Sequence, residues 1–574
     1  MPETIDGFWL PQNIRERVLT TDTEFDTATF SQGLASDHKN RAAVTARWPR
    51  FSMEQWKEIL KLLQENRHQA PSGVEFWQRF QSALNEIQRR FESPTETLRL
   101  QALDTIPKYT GYSEPMIRYT LSAQNMMALN QIPAAFSFNP SNQIFKDWQA
   151  MSGLPGRTIF FSANEWQRRM IRLTSFRSQK LYAEPVPLDF ALGYGAGNVP
   201  GTAMLIAFLC LATTLKSNQL PTVVVKNSRR EPIFTPLVLN ALEDADPELV
   251  STTAVLIWDY QGSAEQDFLL SQADLVLAAA GDDTIAQIQS QIEKVKEKSN
   301  NQHPIRFHAH GHKVSFSAIS KDVLKKGAVL EEENNTALLN VVTLLSALDS
   351  VFWDQHGCLS SRIHFVEVGG SGFFDANQYA AQLETQLRFL EKAIPRGAWP
   401  RQLLHDRFDR YKALERTGKV KVFTSYDDEF HIAVDQRPLN QSAFQNMVND
   451  CQGRVIIIRP VNDLMEIPDN YLKLLPSSNL QSLSVAVGQN PSGLTAPFLK
   501  FVKECCACGI TAVRSVGRGA FPQLSYSWDG YIPLDLLHAR PEGYFSTIEF
   551  DAPYDQMIET YRMIQQRGAE SALV

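Results

Sequence analysis

The stretch LGYGAGNVPGTAMLIAFLCLATTLKSNQLPTVVVKNSRR, residues 192–230, decides the fold. It begins as the end of an apolar strand and turns through four glycines. An apolar segment follows that reads as a helix over 203–217, then the β-branched run TVVVK at 222–226. The pattern repeats downstream: a helix near 234–243, the strand AVLIW (254–258), a helix near 265–271, the strand LVLAAA (275–280) and a helix from Thr284. Continuous apolar strands alternating with helices mean a parallel sheet covered on both faces. This is an α/β, doubly wound, nucleotide-binding architecture, with ligands expected at the carboxyl ends of its strands.

Working outward, a second α/β segment runs from KVSFSAIS (313–320) through the helix ALLNVVTLLSALDSVF (337–352) to the strand RIHFVEV (362–368). Strands at RVIIIRP and LSVAVG and a helix over 494–507 follow, beyond a polar, charged middle at about 385–430. Upstream, the first 150 residues read as mainly helical, with apolar residues at three-and-four spacing over 52–68 and 73–92. Three regions are therefore expected. Residues 1–110 form an N-terminal helical extension. Residues 111–315 form a cofactor-binding α/β domain, completed by 520–574, where a final helix near 553–568 packs back. Residues 316–519 form a catalytic α/β domain.

The chain has 574 residues, 43% of them hydrophobic, and a net charge of −7. The acidic balance argues against a nucleic-acid partner. No apolar run reaches the roughly 18 residues of a membrane span, and MPETIDGFWLPQ does not read as a secretory signal. Six cysteines in this length do not make a disulfide scaffold, so a soluble, cytoplasmic setting is expected.

Several stretches carry candidate chemistry, and each has an ordinary structural reading beside it. The glycines of LGYGAGNVPG are out of register for a dinucleotide fingerprint, but Asn198 within the turn could donate its amide to a developing oxyanion. Lys226 ends a strand; Ser228, Arg229 and Arg230 after it suit a ribose 2′-phosphate better than a 2′-hydroxyl, which points to NADPH rather than NADH. In AAAGDDTIAQI (278–288), Gly281 to Thr284 form a capped helix start that could also approach a cofactor's phosphates. FHAHGHK (307–313) places three histidines on one strand face, without a carboxylate or cysteine to complete a metal set. The lone C-x-x-C of CCAC (505–508) reads as core cysteines, so no metal site is expected. Cys358, in the turn DQHGCLS, is either inert packing or a nucleophile, with His356 able to favour a thiolate if its ring points that way.

Taken in order, GNVPG, VVVKNS, the Trp258 segment, AGDDTI, GHKVSF, DQHGCLS, LQSLSVAVG and the late WDG resemble the acyl-CoA reductases, whose best-known members make the fatty aldehyde of bacterial bioluminescence. The resemblance spans about 110–545 and extends to the wider aldehyde dehydrogenase superfamily. It implies that Cys358 is the nucleophile and that the Asn198 amide and the Cys358 N–H donate to the oxyanion. It further implies that Lys226 binds the adenosine ribose, and that Gly281 to Thr284 lie near the cofactor phosphates. Hydrolytic relatives keep a water-activating glutamate where this chain has Ala309. The implied reaction is NADPH-dependent reduction of a fatty-acyl-CoA or carrier-bound acyl thioester to an aldehyde through a cysteine thioacyl-enzyme. Two departures, His356 for a common glutamine and Trp528 for a common histidine, bear on substrate rather than chemistry. A homo-oligomer is expected from the superfamily. The rival readings are a hydrolytic NAD(P) aldehyde dehydrogenase and an inactive nucleotide-binding partner subunit.

Overall fold

The computed structural model describes residues 3–29, 44–122, 126, 129–133, 145–149, 155–162, 188–298, 305–329, 337–487, 496–520, 529 and 545–551. The expected final helix near 553–568 and Trp528 of the late motif lie outside these residues. The chain divides into two compact units. The first comprises Met1–Phe138, Arg177–His312 and Gln523–Glu542; the second comprises Asn139–Phe176, Lys313–Pro522 and Gly543–Val574.

In the first unit a five-stranded sheet has the order Arg306–His310, Leu275–Ala279, Phe190–Tyr194, Thr222–Lys226, Thr253–Leu256, with every neighbouring pair parallel. The strand order reverses beside Phe190–Tyr194, which defines the switch point of a doubly wound sheet. The helix Thr202–Ala212 is apolar on every side and almost wholly buried, as a helix covered on both faces must be. The sheet covers one side. On another, Phe208 meets Phe80 edge-on at 5.0 Å between ring centroids. Phe80 belongs to the helix Gly73–Glu92, whose buried Phe76, Trp77, Phe80, Ala83, Leu84, Ile87 and Phe91 recur at three-and-four spacing. Helices of the N-terminal region thus belong to the first compact unit. That region also holds a small sheet, Glu3–Asp6, Val44–Pro49 and Phe25–Thr29, which hydropathy patterning did not reveal.

The second unit carries a ten-stranded sheet among the described residues. Its order is Val420–Val422, His431–Asp435, Val455–Val461, Ser361–Glu367, Val314–Ile319, Leu480–Ala486, Ala512–Ser515, Phe545–Asp551, Pro155–Ser162, Phe145–Gln149. The strands from His431–Asp435 to Phe545–Asp551 run parallel, and antiparallel pairs close both ends. Phe545–Asp551 was expected to complete the nucleotide-binding domain. It pairs instead with Ala512–Ser515 and Pro155–Ser162, so 520–574 divides between the units. The polar middle contains the helices Ala376–Ala393 and Arg401–Leu414, amphipathic elements covering this sheet.

Candidate functional site

In the first unit the candidate cofactor residues gather beyond the carboxyl ends of the strands. The strand FALGY is wholly buried and runs into the Asn198 turn. Two glycines there permit close approach: a Cβ on Gly195 would lie 2.7 Å from that of Ala203, and one on Gly197 would lie 2.1 Å from Ser228 Oγ. The turn after Phe190–Tyr194 therefore packs directly on the turn after Thr222–Lys226. A buried carboxylate fastens both. Glu231 accepts the N–H groups of Ile233 at 3.0 Å and Phe234 at 2.8 Å, and that of Gly201, the cap of the helix Thr202–Ala212. Burial pushes its carboxyl up to about 7, against those three bonds. From the N-terminal helices, Tyr112 donates to the Asn198 carbonyl at 2.5 Å and Tyr109 to the Arg229 carbonyl at 2.8 Å. These braces carry no sequence motif.

Lys226 reaches past its strand end over two aromatic rings, with Nζ 5.9 Å from the Trp258 ring centre and 5.3 Å from that of Tyr260. No ion pair joins it to a carboxylate among the described residues, and burial pushes its ammonium down to about 8. Arg229 acts in the same direction and Asp259 against it. The Tyr260 hydroxyl lies 3.2 Å from Thr284 Oγ1, so Lys226 and Thr284 meet around one ring. Ser228 Oγ accepts the Arg230 N–H, and the exposed Arg229 guanidinium stands 5.6 Å from the Trp48 ring. Gly281 is open on its Cα side, and Asp282 begins the helix Asp282–Lys298, its carboxylate accepting the His312 N–H at 2.6 Å. Asn198, Lys226, Ser228, Arg229, Gly281 and Thr284 thus all lie at one edge of one sheet.

The alternate histidines do not form a metal face. His308 is buried, with its imidazole pushed down to about 4 by burial and by Arg306. His310 pairs through Nδ1 with the buried Asp529 of the late motif. Among the described residues no group of three or more His, Cys, Asp or Glu is placed to hold a metal ion. Cys505 and Cys506 pack in the core of the second unit. No helix of the described residues is long and apolar enough to cross a membrane.

In the second unit Cys358 lies at the amino edge of the sheet, just before Ser361–Glu367. Three consecutive non-glycine residues before it, Trp353, Asp354 and Gln355, are left-handed, with φ of 55°, 48° and 60°. Such backbone persists only where its surroundings fix it. Here the Asp354 carboxylate accepts the Gly397 N–H and Trp399 Nε1–H at 3.0 Å each and pairs with buried Arg454 at 2.6 Å. Gln355 donates to the Ser361 carbonyl. The Cys358 carbonyl accepts from Ser315 Oγ at 2.7 Å, and Ser482 Oγ donates to that hydroxyl. The register slips at Ser315 against both neighbouring strands, a bulge of the kind that re-aims side chains.

Burial raises the Cys358 thiol on balance, opposed by a hydrogen bond from the Gln481 side chain, its own N–H, the Arg362 charge and the Leu359 N–H. Gln481 and Arg362 are buried polar residues in strands that read simply as apolar runs, and that polarity was the available signal. His356 packs against Trp399 with ring centres 4.3 Å apart and planes tilted by 44°.

Comparison with known proteins accords with this geometry. The chain resembles aldehyde dehydrogenase 21 from Physcomitrella patens (11% identity, TM-score 0.57, covering 96% of this chain and 99% of that one). It also resembles the Delta-pyrroline-5-carboxylate dehydrogenase of Mycobacterium tuberculosis (11%, 0.57, 96% and 90%). A third likeness is the NADP-dependent glyceraldehyde-3-phosphate dehydrogenase of Bacillus halodurans, solved with NADP (12%, 0.53, 92% and 96%). At these identities the likeness establishes the aldehyde dehydrogenase fold. No curated protein matches the chain. The family model described as acyl-CoA reductase (LuxC) matches residues 164–540, more than half the chain and both candidate sites. The chain therefore belongs to the acyl-CoA reductase (LuxC) family, oxidoreductases acting on acyl and aldehyde groups, on an aldehyde dehydrogenase fold.

Proposed function

We propose that this protein reduces a fatty-acyl thioester, carried by CoA or a carrier protein, to the aldehyde through a thioacyl-enzyme on Cys358, with NADPH as reductant. The observation that carries the reading is Cys358 itself. In a chain of this family, it follows a left-handed turn pinned by buried ion pairs, with hydrogen-bond donors directed at its sulfur. The first unit is the cofactor-binding domain and the second the nucleophile-bearing one.

The Cys358 thiolate attacks the thioester carbonyl, and the Asn198 amide and the Cys358 N–H donate to the oxyanion. The thiol leaves, and the acyl group stays on sulfur. Ala309 offers no base to water there, so hydrolysis is slow. NADPH, when bound, supplies a hydride at the acyl carbon. The C–S bond then breaks, its electron pair returns to Cys358, and aldehyde departs. The residues fit the cofactor: the Lys226 ammonium, which has no carboxylate partner among the described residues, and the Ser228 hydroxyl would hold the ribose, and the exposed Arg229 guanidinium would serve a 2′-phosphate. Free thiols throughout the described cysteines suit a reducing cytoplasm.

The test is incubation with radiolabelled acyl-CoA in the absence of NADPH. Label on Cys358, and none on Cys358→Ala, is expected; label surviving that substitution would refute the covalent scheme.

One observation favours the hydrolytic alternative. His310, paired with Asp529, adjoins Ala309 and has the makings of a general base. If it serves water, aldehyde and NAD(P) yield free acid, and His310→Gln abolishes acid formation. Acid from the wild type with no acyl-CoA consumed would establish that reading.

A further inference from the structure

Arg362 follows Cys358 by four positions and is only 3% exposed. Among the described residues its Nε has no hydrogen-bond acceptor, and its Nη1 reaches the Val448 carbonyl only at 3.4 Å. Three other arginines of this unit with buried side chains reach carboxylates. Arg454 is paired with Asp354 and Glu391, Arg459 with Asp435, and Arg396 with Glu429. Around Arg362 the groups that act on its charge are two sulfurs, Cys451 and Cys358. A guanidinium does not shed its proton, and burying one without a counter-charge costs several kcal/mol. One sulfur must therefore supply the anion.

Cys451 is not that sulfur. Its Sγ lies 3.2 Å from the Met447 carbonyl and donates to it, which requires the S–H. Burial also pushes it up to about 12. Cys358 is also raised by burial, but its sulfur is surrounded by donors that oppose that rise: the Gln481 amide, two backbone N–H groups and the Arg362 charge.

The other charged groups on elements packed round the pair are engaged elsewhere. Asp450 pairs with Arg410, and the Arg407 guanidinium bonds the Asp450 carbonyl. Asp435 pairs with Arg437, and Asp349 accepts the backbone N–H groups of 517, 519 and 520. His364, on the same strand, is held neutral, its imidazole pushed down to about 3.

We propose that Arg362 is a positioning residue for the reaction: the buried, otherwise unpaired counter-charge that holds Cys358 as its thiolate. The proposal rests on the reading of Cys358 as the nucleophile and adds what activates it. It also favours product release. Acylation removes the negative charge from sulfur and leaves Arg362 uncompensated. The charge is restored when the C–S bond breaks and its electrons return to sulfur.

The experiment follows alkylation of Cys358 by iodoacetamide across pH 5–10 in the full-length protein, without acyl-CoA or cofactor, scored by mass spectrometry of the Cys358 peptide. Arg362→Gln should raise the midpoint by a pH unit or more, slowing alkylation about tenfold below both midpoints. Arg362→Lys should restore most of the shift. An unchanged midpoint in folded Arg362→Gln overturns the proposal.

If that variant does not fold, thermal unfolding of Cys358→Asp against Cys358→Asn at pH 8 decides. The aspartate, anionic beside Arg362, should melt higher, and equal or reversed order overturns the proposal. The acyl-CoA labelling test fails separately. A midpoint shift with no label keeps Arg362 and refutes the nucleophile; label with no shift does the reverse.

Discussion

At the scale of the residue, burial and charge give single groups different working ranges. Lys226 ends a strand, bears on two aromatic rings and has its ammonium pushed down to about 8. Below about 8 it is a half-buried cation without a carboxylate partner among the described residues; above it the amine is neutral. If it holds the cofactor's ribose-phosphate end, NADPH affinity should fall as pH rises through about 8 to 9. An isothermal titration series across that range should show the Kd increasing with pH. Lys226→Gln should bind weakly at every pH, with a flat profile. A wild-type Kd independent of pH would remove Lys226 from the cofactor site. Ser228 and Arg229 are separable from this: Arg229→Ala should weaken NADPH binding about tenfold while leaving NADH almost unchanged, because only one of the two carries the 2′-phosphate. Equal losses for both cofactors would assign the guanidinium to something else.

At the scale of the element, the turn before Cys358 shows how far a sequence can be read. Its position between an apolar helix and a β-branched strand was legible, and Leu338–Val351 and Ser361–Glu367 fall within a residue or so of expectation. The left-handed run was not. Trp, Asp and Gln carry a Cβ that makes this backbone cost on the order of 1–2 kcal/mol per residue. The partners that hold it come from 397, 399 and 454, far along the chain. Four strands of the five-stranded sheet were legible because each is a largely apolar run; the fifth, Arg306–His310, carries an arginine and two histidines. The small sheet was not, because Glu3–Asp6 pairs with Val44–Pro49 across some forty residues. Asp354→Ala should expose the cost of the turn. Arg454 is 1% exposed and keeps only Glu391 and the Ile394 carbonyl among the described residues, so unfolding free energy should fall by about 3–5 kcal/mol. Alkylation of Cys358 in the folded fraction should become heterogeneous. A loss below about 1 kcal/mol would mean that the turn needs no such clamp.

At the scale of the whole molecule, the chain divides into two compact units, the first holding the five-stranded sheet and the second the strand that follows Cys358. The upstream strands Phe145–Gln149 and Pro155–Ser162 and the strand Phe545–Asp551 join the second sheet, and pairing between segments so far apart in the chain leaves no local signature. Each unit also buries a carboxyl that fastens a turn: Glu231 in the first, and Asp349 in the second, where it accepts from Gly517 at 2.8 Å. Burial pushes both up to about 7. A carboxyl raised above its unfolded value is protonated in the fold over a range where the unfolded chain has released its proton. Its contribution is thus complete below about pH 4 and lost as pH rises through about 7. Buried histidines slope the other way. His308 and His431 near 4, and His364 near 3, contribute above about 6.5 and lose that contribution as pH falls through those values. Total stability therefore mixes opposed slopes, and a single variant must separate them. Asp349→Asn keeps the shape and an acceptor but cannot ionise. Thermal unfolding of wild type and variant should differ most at about pH 4, where the carboxyl's contribution is complete. The gap should shrink by several degrees toward pH 8, where the wild type must hold a buried anion. Native-state hydrogen exchange localises the effect. Protection of the Gly517, Gly519 and Ala520 amides, corrected for intrinsic exchange, should decline over the same interval in the wild type alone. A gap that widens with pH would mean that the backbone N–H groups outweigh burial and that Asp349 is ionised throughout.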